Sequence, residues 1–332
     1  MSIEPKYLTM DAIVLAGGYA TRLWPITKDR PKMLLPIGET TVIGTVLESI
    51  ERDERIDDVY VSTNEKFIGA FETYLAESAF EKPRLSVEET TAEPEKLGVV
   101  GALAQLIERE EIDDDVLIIG GDNLISFDVS EFVDAFEATR GPTPTLAAYD
   151  VGSYDLASSY GLIELDANGE VVDFQEKPDD PNSTLVSIAC YALPAAALSL
   201  FETYLEGGNN PDEPGWFIQW LQDRETVRAF TFEEAWFDIG TPESYLDAVS
   251  WYLAGDSYVA PSADVETATV GDNVQILEGA SLSDVTVERS VVFPEAEIVG
   301  CEIRDSIIDR GTRVEGMNLS GALIGAHTRL GE

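Results

Sequence analysis

"LAGGYATRLWPITKDRPKMLLPIG", residues 15–38, opens as an apolar strand, breaks at paired glycines and gathers Arg22, Lys28, Arg30 and Lys32 within eleven residues. The whole 332-residue chain has 21 lysines and arginines against 63 aspartates and glutamates, a formal net charge of −42. Four cations together oppose that charge and need a local reason. The strand AIVLAG (12–17) delivers Gly17 and Gly18 to a strand's carboxyl end, where open α/β sheets bind ligands. Bare backbone amides beside clustered cations make an anion site, most naturally one for phosphate. The segment fits neither GxxxxGK[ST] nor GxGxxG, so it is neither a Walker loop nor a dinucleotide fingerprint.

Outward from this stretch, strand and helix signals alternate as far as Gly255. Strands are predicted at 12–17, 58–64, 115–121, 145–150, 185–193 and 227–232, several as continuous apolar runs of the kind buried on both faces. Helical spacing lies between them, as at Phe67, Phe71, Tyr74 and Leu75, and again at Leu103, Leu106 and Ile107. This predicts a Rossmann-like, three-layer α/β domain. Beyond Gly255 the helical period is lost and a sixteen-residue repeat takes over. Its apolar columns are Ile276/Val292/Ile308/Ile324, Leu282/Ile298/Val314/Leu330 and Val287/Ile303/Leu319. Small residues, Ala280, Ala296, Thr312 and Thr328, precede the second column by two. Columns six residues apart with short turns predict a parallel β-helix, with Val259 and Val265 in an irregular first rung. The expected division is therefore 1–255 for the α/β domain and 256–332 for the β-helix.

Composition narrows the function. Acidic residues are spread along the whole chain, and only seven lysines are present. A dispersed acidic surface suits concentrated salt, where at about 1 M the Debye length is about 3 Å and self-repulsion is screened. A salt-adapted cytoplasm is the expected setting, and no basic face exists for nucleic acid. Cys190 and Cys301 give neither a disulfide framework nor metal-ligand spacing. The N-terminal segment lacks the pattern of a signal peptide, and the longest uncharged run, 185–201, is short for a membrane span and holds Pro194. His327, the only histidine, falls in the last rung, which argues against histidine base catalysis and a Ser-His-Asp triad.

Carboxylates and cations remain. Asp122 in GGDN (120–123) follows the apolar strand VLIIGG, and Asp238 in FDIGTPESY (237–245) precedes a predicted helix over 242–254. Either alone reads as a turn or cap residue. Beside a phosphate site, the pair suits Mg²⁺ held by one or two carboxylates and substrate phosphates. Glu176-Lys177-Pro178 places a rare lysine beside an acid at a strand end. Catalysis by positioning and charge neutralisation, without histidine, suits phosphoryl or nucleotidyl transfer.

The 15–38 stretch resembles the signature LAGGxGTRLxPLTxxxPKxLLPV of the sugar-1-phosphate nucleotidyltransferases, and GGDN, YGLIELD, EKP and WFDIGTPESY resemble that family's later blocks in order. The resemblance covers residues 9–331 and includes the left-handed, hexapeptide-type β-helix common in the family. It implies Mg²⁺-dependent transfer of a nucleotidyl group from dTTP or UTP to a hexose 1-phosphate, glucose 1-phosphate being the expected acceptor, with release of pyrophosphate. It assigns Leu15, Gly17, Gly18, Thr21, Arg22, Glu93 and Gly98 to the nucleotide, with Arg22 and Lys32 as the catalytic cations. Gly161, Glu176, Lys177 and Trp236 fall to the sugar phosphate, and Asp122 and Asp238 to the metal. A homo-oligomer is expected, with no nucleic-acid or membrane partner.

Three departures bear on specificity. Ala20 replaces a signature glycine, Ser187-Ile188-Ala189-Cys190-Tyr191 replaces Asn-Ala-Gly-Ile-Tyr, and Glu93 stands where thymidylyl and uridylyl enzymes often carry glutamine. An ionised Glu93 only accepts hydrogen bonds, so it suits thymine, uracil or guanine and disfavours adenine and cytosine. Mannose-1-phosphate guanylyl transfer is the alternative activity. A non-catalytic scaffold paralogue is the alternative class, set against the presence of Arg22, Lys32, Asp122, Lys177 and Asp238.

Overall fold

The computed structural model describes residues 9–88, 97–138 and 143–331. It divides into two compact units that follow contacts rather than chain order. One holds the residues up to Gly17 and Val46–Trp236; the other holds Gly18–Thr45 and Phe237–Glu332.

The first unit is built on a nine-stranded mixed sheet. Asp115–Gly120, Met10–Leu15, Ile56–Asn64 and Pro83–Glu88 run parallel in that order. The long strand Leu185–Leu193 joins antiparallel to Asp115–Gly120. Its first half pairs with Gly161–Leu165, which pairs with Val171–Glu176. Its other edge takes Thr145–Asp150, and Arg228–Phe232 runs parallel to that. The central strands are apolar in succession because both faces are covered. Ile13 and Ile118 pack with Leu103, Leu106, Phe201 and Phe217 from three helices, Val99–Arg109, Ala195–Glu206 and Pro214–Gln222. Ala12, Val14, Leu117 and Ile119, which point the other way, are equally inaccessible.

All six predicted strands are present. Pro83–Glu88 and Gly161–Leu165 were not anticipated: the first opens on a proline and is half-buried, and the second opens on a glycine. Both are poor strand signals by composition.

In the second unit, residues from Tyr258 onward wind into three parallel sheets. Ile276, Val292, Ile308 and Ile324 stack in one, Leu282, Ile298, Val314 and Leu330 in the second, and Val287, Ile303 and Leu319 in the third. These are the columns of the sixteen-residue repeat, and the architecture is that of a β-helix, consistent with the left-handed type. Val259 pairs with Ile276, and Asp264 bridges to Ser281, as an irregular first rung. The helix Pro242–Leu253 is capped by Thr241 and Ser244 in a reciprocal box. Arg289 reaches from the β-helix to Glu243 and Asp247 on that helix and to Asp305 on the next rung. Among the described residues no helix is long and apolar enough to cross a membrane.

Candidate active site

Leu15 closes the central strand, and its carbonyl accepts from Gly121 N–H at 2.9 Å. The chain beyond is fixed by its neighbour strand. Ser62 O accepts from Ala16 N–H at 2.7 Å, and Asn64 Nδ2 donates to Gly17 O at 2.8 Å. The glycine segment is thus anchored just past the strand's carboxyl end, as its sequence predicts.

At the end of the adjacent strand, Asn123 Nδ2 donates to Asp122 Oδ1 at 2.9 Å. The buried Asn123 presents its oxygen to Trp236, whose indole N–H donates to it at 2.5 Å. An indole nitrogen can only donate, so the amide orientation is determined and its NH₂ must face Asp122. One carboxylate oxygen of Asp122 is therefore oriented through two side chains from Trp236. The ring of Trp236 stands edge-on to Tyr160 at 4.8 Å and to Tyr149 at 6.1 Å, forming an aromatic wall.

Glu176 ends the strand Val171–Glu176 and is 9% exposed. Its carboxylate lies between two glycines. A Cβ on Gly161 would come within 2.8 Å of Glu176 Oε2, and one on Gly215 would overlap it. The carboxylate closes Gly215 to a side chain, and at Gly161 the Phe174 ring, 2.6 Å from such a Cβ, closes the space together with it. Burial pushes the Glu176 carboxyl up to about 7, with Lys177 pulling it down and Glu213 adding to the rise. Lys177 sits in the left-handed region at φ 46°, and its N–H donates to Tyr160 O. Its ammonium pairs with Glu213 at the start of the helix Pro214–Gln222. Both partners are exposed, so the pair contributes little to stability. Ser187 lies across from Gly161 in the ladder, at a register shift in the strand that ends before Tyr191. Of the segment that departs from the signature, Ser187 thus pairs with the strand next to Glu176's own, while Cys190 and Tyr191 pair with Asp115–Gly120.

The second unit assembles the cations. Lys32 Nζ lies 4.0 Å from Asp238 Oδ1, and a Cβ on Gly18 would be 3.9 Å from Lys32 Cε. The Arg22 guanidinium covers Gly240, where a Cβ would stand 2.9 Å from Nη2. Ala20 takes φ 48° and ψ 47°, a left-handed conformation that glycine adopts more readily, and its carbonyl accepts from Thr27 Oγ1 at 2.8 Å. Thr21 begins the short 3₁₀ turn Thr21–Leu23 that carries Arg22.

Gly98 precedes the helix Val99–Arg109 at φ 76°, and a Cβ there would overlap the Pro211 carbonyl, which accepts from Val100 N–H. Packing thus accounts for this glycine by itself. Glu93 lies outside the described residues. Sequence reasoning did not find Asn123, Gly215 or Glu213. Asn123 stood visible in GGDN, but its partner Trp236 is 113 residues away.

The Nucleotidyl transferase family model matches residues 11–255. The chain belongs to the nucleotidyl transferase family. Among curated members of similar sequence, the bifunctional protein GlmU of Methanocaldococcus jannaschii is 25% identical over 276 residues, 82% of this chain and 61% of the relative. The chain thus spans about three-fifths of that relative's length. A Sulfolobus acidocaldarius protein described as a mannose-1-phosphate guanyltransferase is 26% identical, covering 82% of this chain and 74% of its own. A Bacillus anthracis structure described as a glucose-1-phosphate thymidylyltransferase shares the fold, with a TM-score of 0.63 and 23% identity over 74% of this chain and 95% of that one.

The nucleotidyl transferase family generally uses a divalent metal. Among the described residues no three His, Cys, Asp or Glu side chains gather as a metal cage. Single carboxylates such as Asp122 and Asp238 fit an ion that keeps water and substrate oxygens in its shell, as Mg²⁺ does.

Proposed function

We propose that the chain transfers a nucleotidyl group from dTTP or UTP to a hexose 1-phosphate, with glucose 1-phosphate the preferred acceptor, releasing an NDP-sugar and pyrophosphate. The observation that carries the acceptor class is Glu176. A buried carboxylate seated between Gly161 and Gly215, beside Lys177 and on the ladder of Ser187, suits a ligand with both hydroxyls and a phosphate. Glu176 accepts from sugar hydroxyls, Lys177 leaves Glu213 to meet the phosphate, and Trp236 walls the sugar.

In the proposed reaction an oxygen of the sugar phosphate attacks the α-phosphorus in line. A new P–O bond forms there, and the bond to the β-phosphate bridging oxygen breaks, releasing pyrophosphate. Gly17 and Gly18 bring amides close to the triphosphate, with Leu15, Thr21, Glu93 and Gly98 completing its surroundings. Arg22 and Lys32 neutralise charge as it builds on the phosphates. Asp122 and Asp238 would hold Mg²⁺, which when bound adds positive charge at the phosphates. Residues 1–255 act as the catalytic domain and 256–332 as a left-handed, hexapeptide-type β-helix. The protein works as a homo-oligomer in a salt-adapted cytoplasm.

Glu93 favours a second reading. A carboxylate can accept both N1–H and the exocyclic amine of guanine, which supports GTP with mannose 1-phosphate. The test crosses dTTP, UTP, GTP, ATP and CTP with glucose 1-phosphate, mannose 1-phosphate and N-acetylglucosamine 1-phosphate in Mg²⁺ and molar KCl, following pyrophosphate. The highest rate is expected with dTTP or UTP and glucose 1-phosphate. A GTP–mannose 1-phosphate preference replaces this reading with the second, and no release with any pair overturns both.

A further inference from the structure

Two faces of the β-helix turn polar side chains outward, as Glu297 and Arg313 do on one and Glu302 and Arg304 on another. The third does not. Its outward residues Gln275, Val291, Ile307, Leu277, Phe293 and Asp309 are all buried, none more than 5% exposed. A strand apolar on both sides must be covered on both.

The 15–38 signature stretch covers it at Gln275, Phe293, Asp309 and Gly325. Gly38 N–H donates to Gln275 Oε1 at 2.8 Å. The Arg30 guanidinium lies 4.5 Å above the Phe293 ring, and its Nη2 meets Asp309 Oδ1 at 3.3 Å. Gly325 gives way to Pro25, since a Cβ there would be 2.8 Å from Pro25 Cγ. The stretch therefore crosses successive rungs in order, Pro25 at the last, Arg30 at the two before it and Gly38 at the first regular one. Tyr245 Oη, from the helix Pro242–Leu253, donates to Pro36 O at 2.6 Å and holds the same stretch from above.

We propose that this β-helix face is the template on which the catalytic cations are set, with Arg30, Asp309 and Gln275 as positioning residues. Arg22 precedes Arg30 by eight residues and Lys32 follows it by two, so the register fixed at Asp309 and Phe293 sets where both reach Gly240 and Asp238. The β-helix is then part of the catalytic apparatus rather than an appendage. The chemistry of the anchor supports this. A guanidinium spread between an aromatic face and a buried carboxylate is held in plane and direction, as a lysine would not be.

The inference rests on the proposed function for its kinetic readout, so its test carries a structural one as well. Asp309→Ala and Gln275→Leu are compared with Glu297→Ala on a polar face, by hydrogen exchange and by kinetics in molar salt. Gln275→Leu keeps an apolar volume in place of an amide whose Nε2 has no partner among the described residues, and so should fold. Both variants are expected to lose protection over residues 20–38 while keeping it over 281–304. With any active substrate pair, kcat should fall about tenfold or more while both KM values hold within about threefold, as misplacement by an ångström or less predicts. Asp309→Asn, which still accepts a hydrogen bond, should recover part of kcat. Unchanged protection and kcat in Gln275→Leu, or equal losses in Glu297→Ala, would overturn the proposal. If no substrate pair turns over in the parent protein, exchange alone still decides whether the face orders the stretch. If Asp309→Ala does not fold, Gln275→Leu decides.

Discussion

Glu176→Gln separates the cost of burying a carboxylate from the use made of it. The Glu176 carboxyl is raised from 4.5 to about 7, burial being the main cause and Lys177 the main opposing one. That gap corresponds to about 3 kcal/mol of difference between the two protonation states. The sign follows from linkage. Below pH 4.5 the folded and unfolded chains both carry the proton, and burial adds no penalty. Between 4.5 and about 7 the unfolded chain ionises first, so Glu176's contribution to stability falls as pH rises. Above about 7 both are ionised and the full penalty stands. Glutamine keeps the shape between Gly161 and Gly215 and does not titrate. Glu176→Gln should thus be close to neutral at pH 4.5 and stabilising by up to about 3 kcal/mol at pH 8, read from urea unfolding in molar KCl. Catalysis should move the other way. The parent's KM for the sugar phosphate should fall as pH rises through about 7 and Glu176 becomes an acceptor, and the variant's KM should be higher and flat. Parallel stability curves for the two proteins across this range would refute the buried-carboxylate argument.

Three further outcomes are expected. Asp122→Asn should abolish turnover, by about a hundredfold or more, with the unfolding transition retained, and a fully active variant would remove Asp122 from any metal role. Trp236→Phe and Asn123→Ala should each raise the Mg²⁺ concentration needed for half-maximal rate by about tenfold, because each breaks the link that orients Asp122; an unchanged Mg²⁺ dependence would make that link incidental. Lowering KCl from about 1 M to about 0.1 M should lower Tm, since the Debye length grows from about 3 to about 10 Å. Asp11 is one focus of that repulsion: burial pushes it up to about 6, the Asp58 N–H that it accepts from pulls it down, and the charges of Asp58, Asp114 and Asp57 add to the rise. Asp11→Asn should narrow the drop in Tm, and a salt-independent Tm would count against salt adaptation.

The α/β alternation and the sixteen-residue register were legible because each reflects a period, one of helices between buried strands and one of rungs along an axis. Ile276, Val292, Ile308 and Ile324 stack where the columns placed them. What the columns concealed was the outward side. The triplets QIL, VVF and IID at 275–277, 291–293 and 307–309 are apolar or buried on both sides of the strand, but a period-six search reads only the inward residue. The same limit applies at the site. Glu176 was found from EKP, whereas Gly215 and Glu213 that shape its surroundings lie almost forty residues on, in a helix start with no motif of its own. Asn123 followed Asp122 in plain view, yet nothing local signals that Trp236 fixes its amide. Ala20 shows the converse. The signature carries glycine there, and Ala20 takes a left-handed conformation despite its Cβ.

The fate of the α-phosphorus is the most direct measure of the central claim. The protein is incubated with Mg²⁺, a sugar 1-phosphate and dTTP or UTP labelled at either the α- or the γ-phosphate, in molar KCl. Nucleotidyl transfer predicts α-label in the NDP-sugar and γ-label in pyrophosphate, both lost in Asp122→Asn. Label from the γ-position in the sugar, or no transfer from either position with any base, would contradict it.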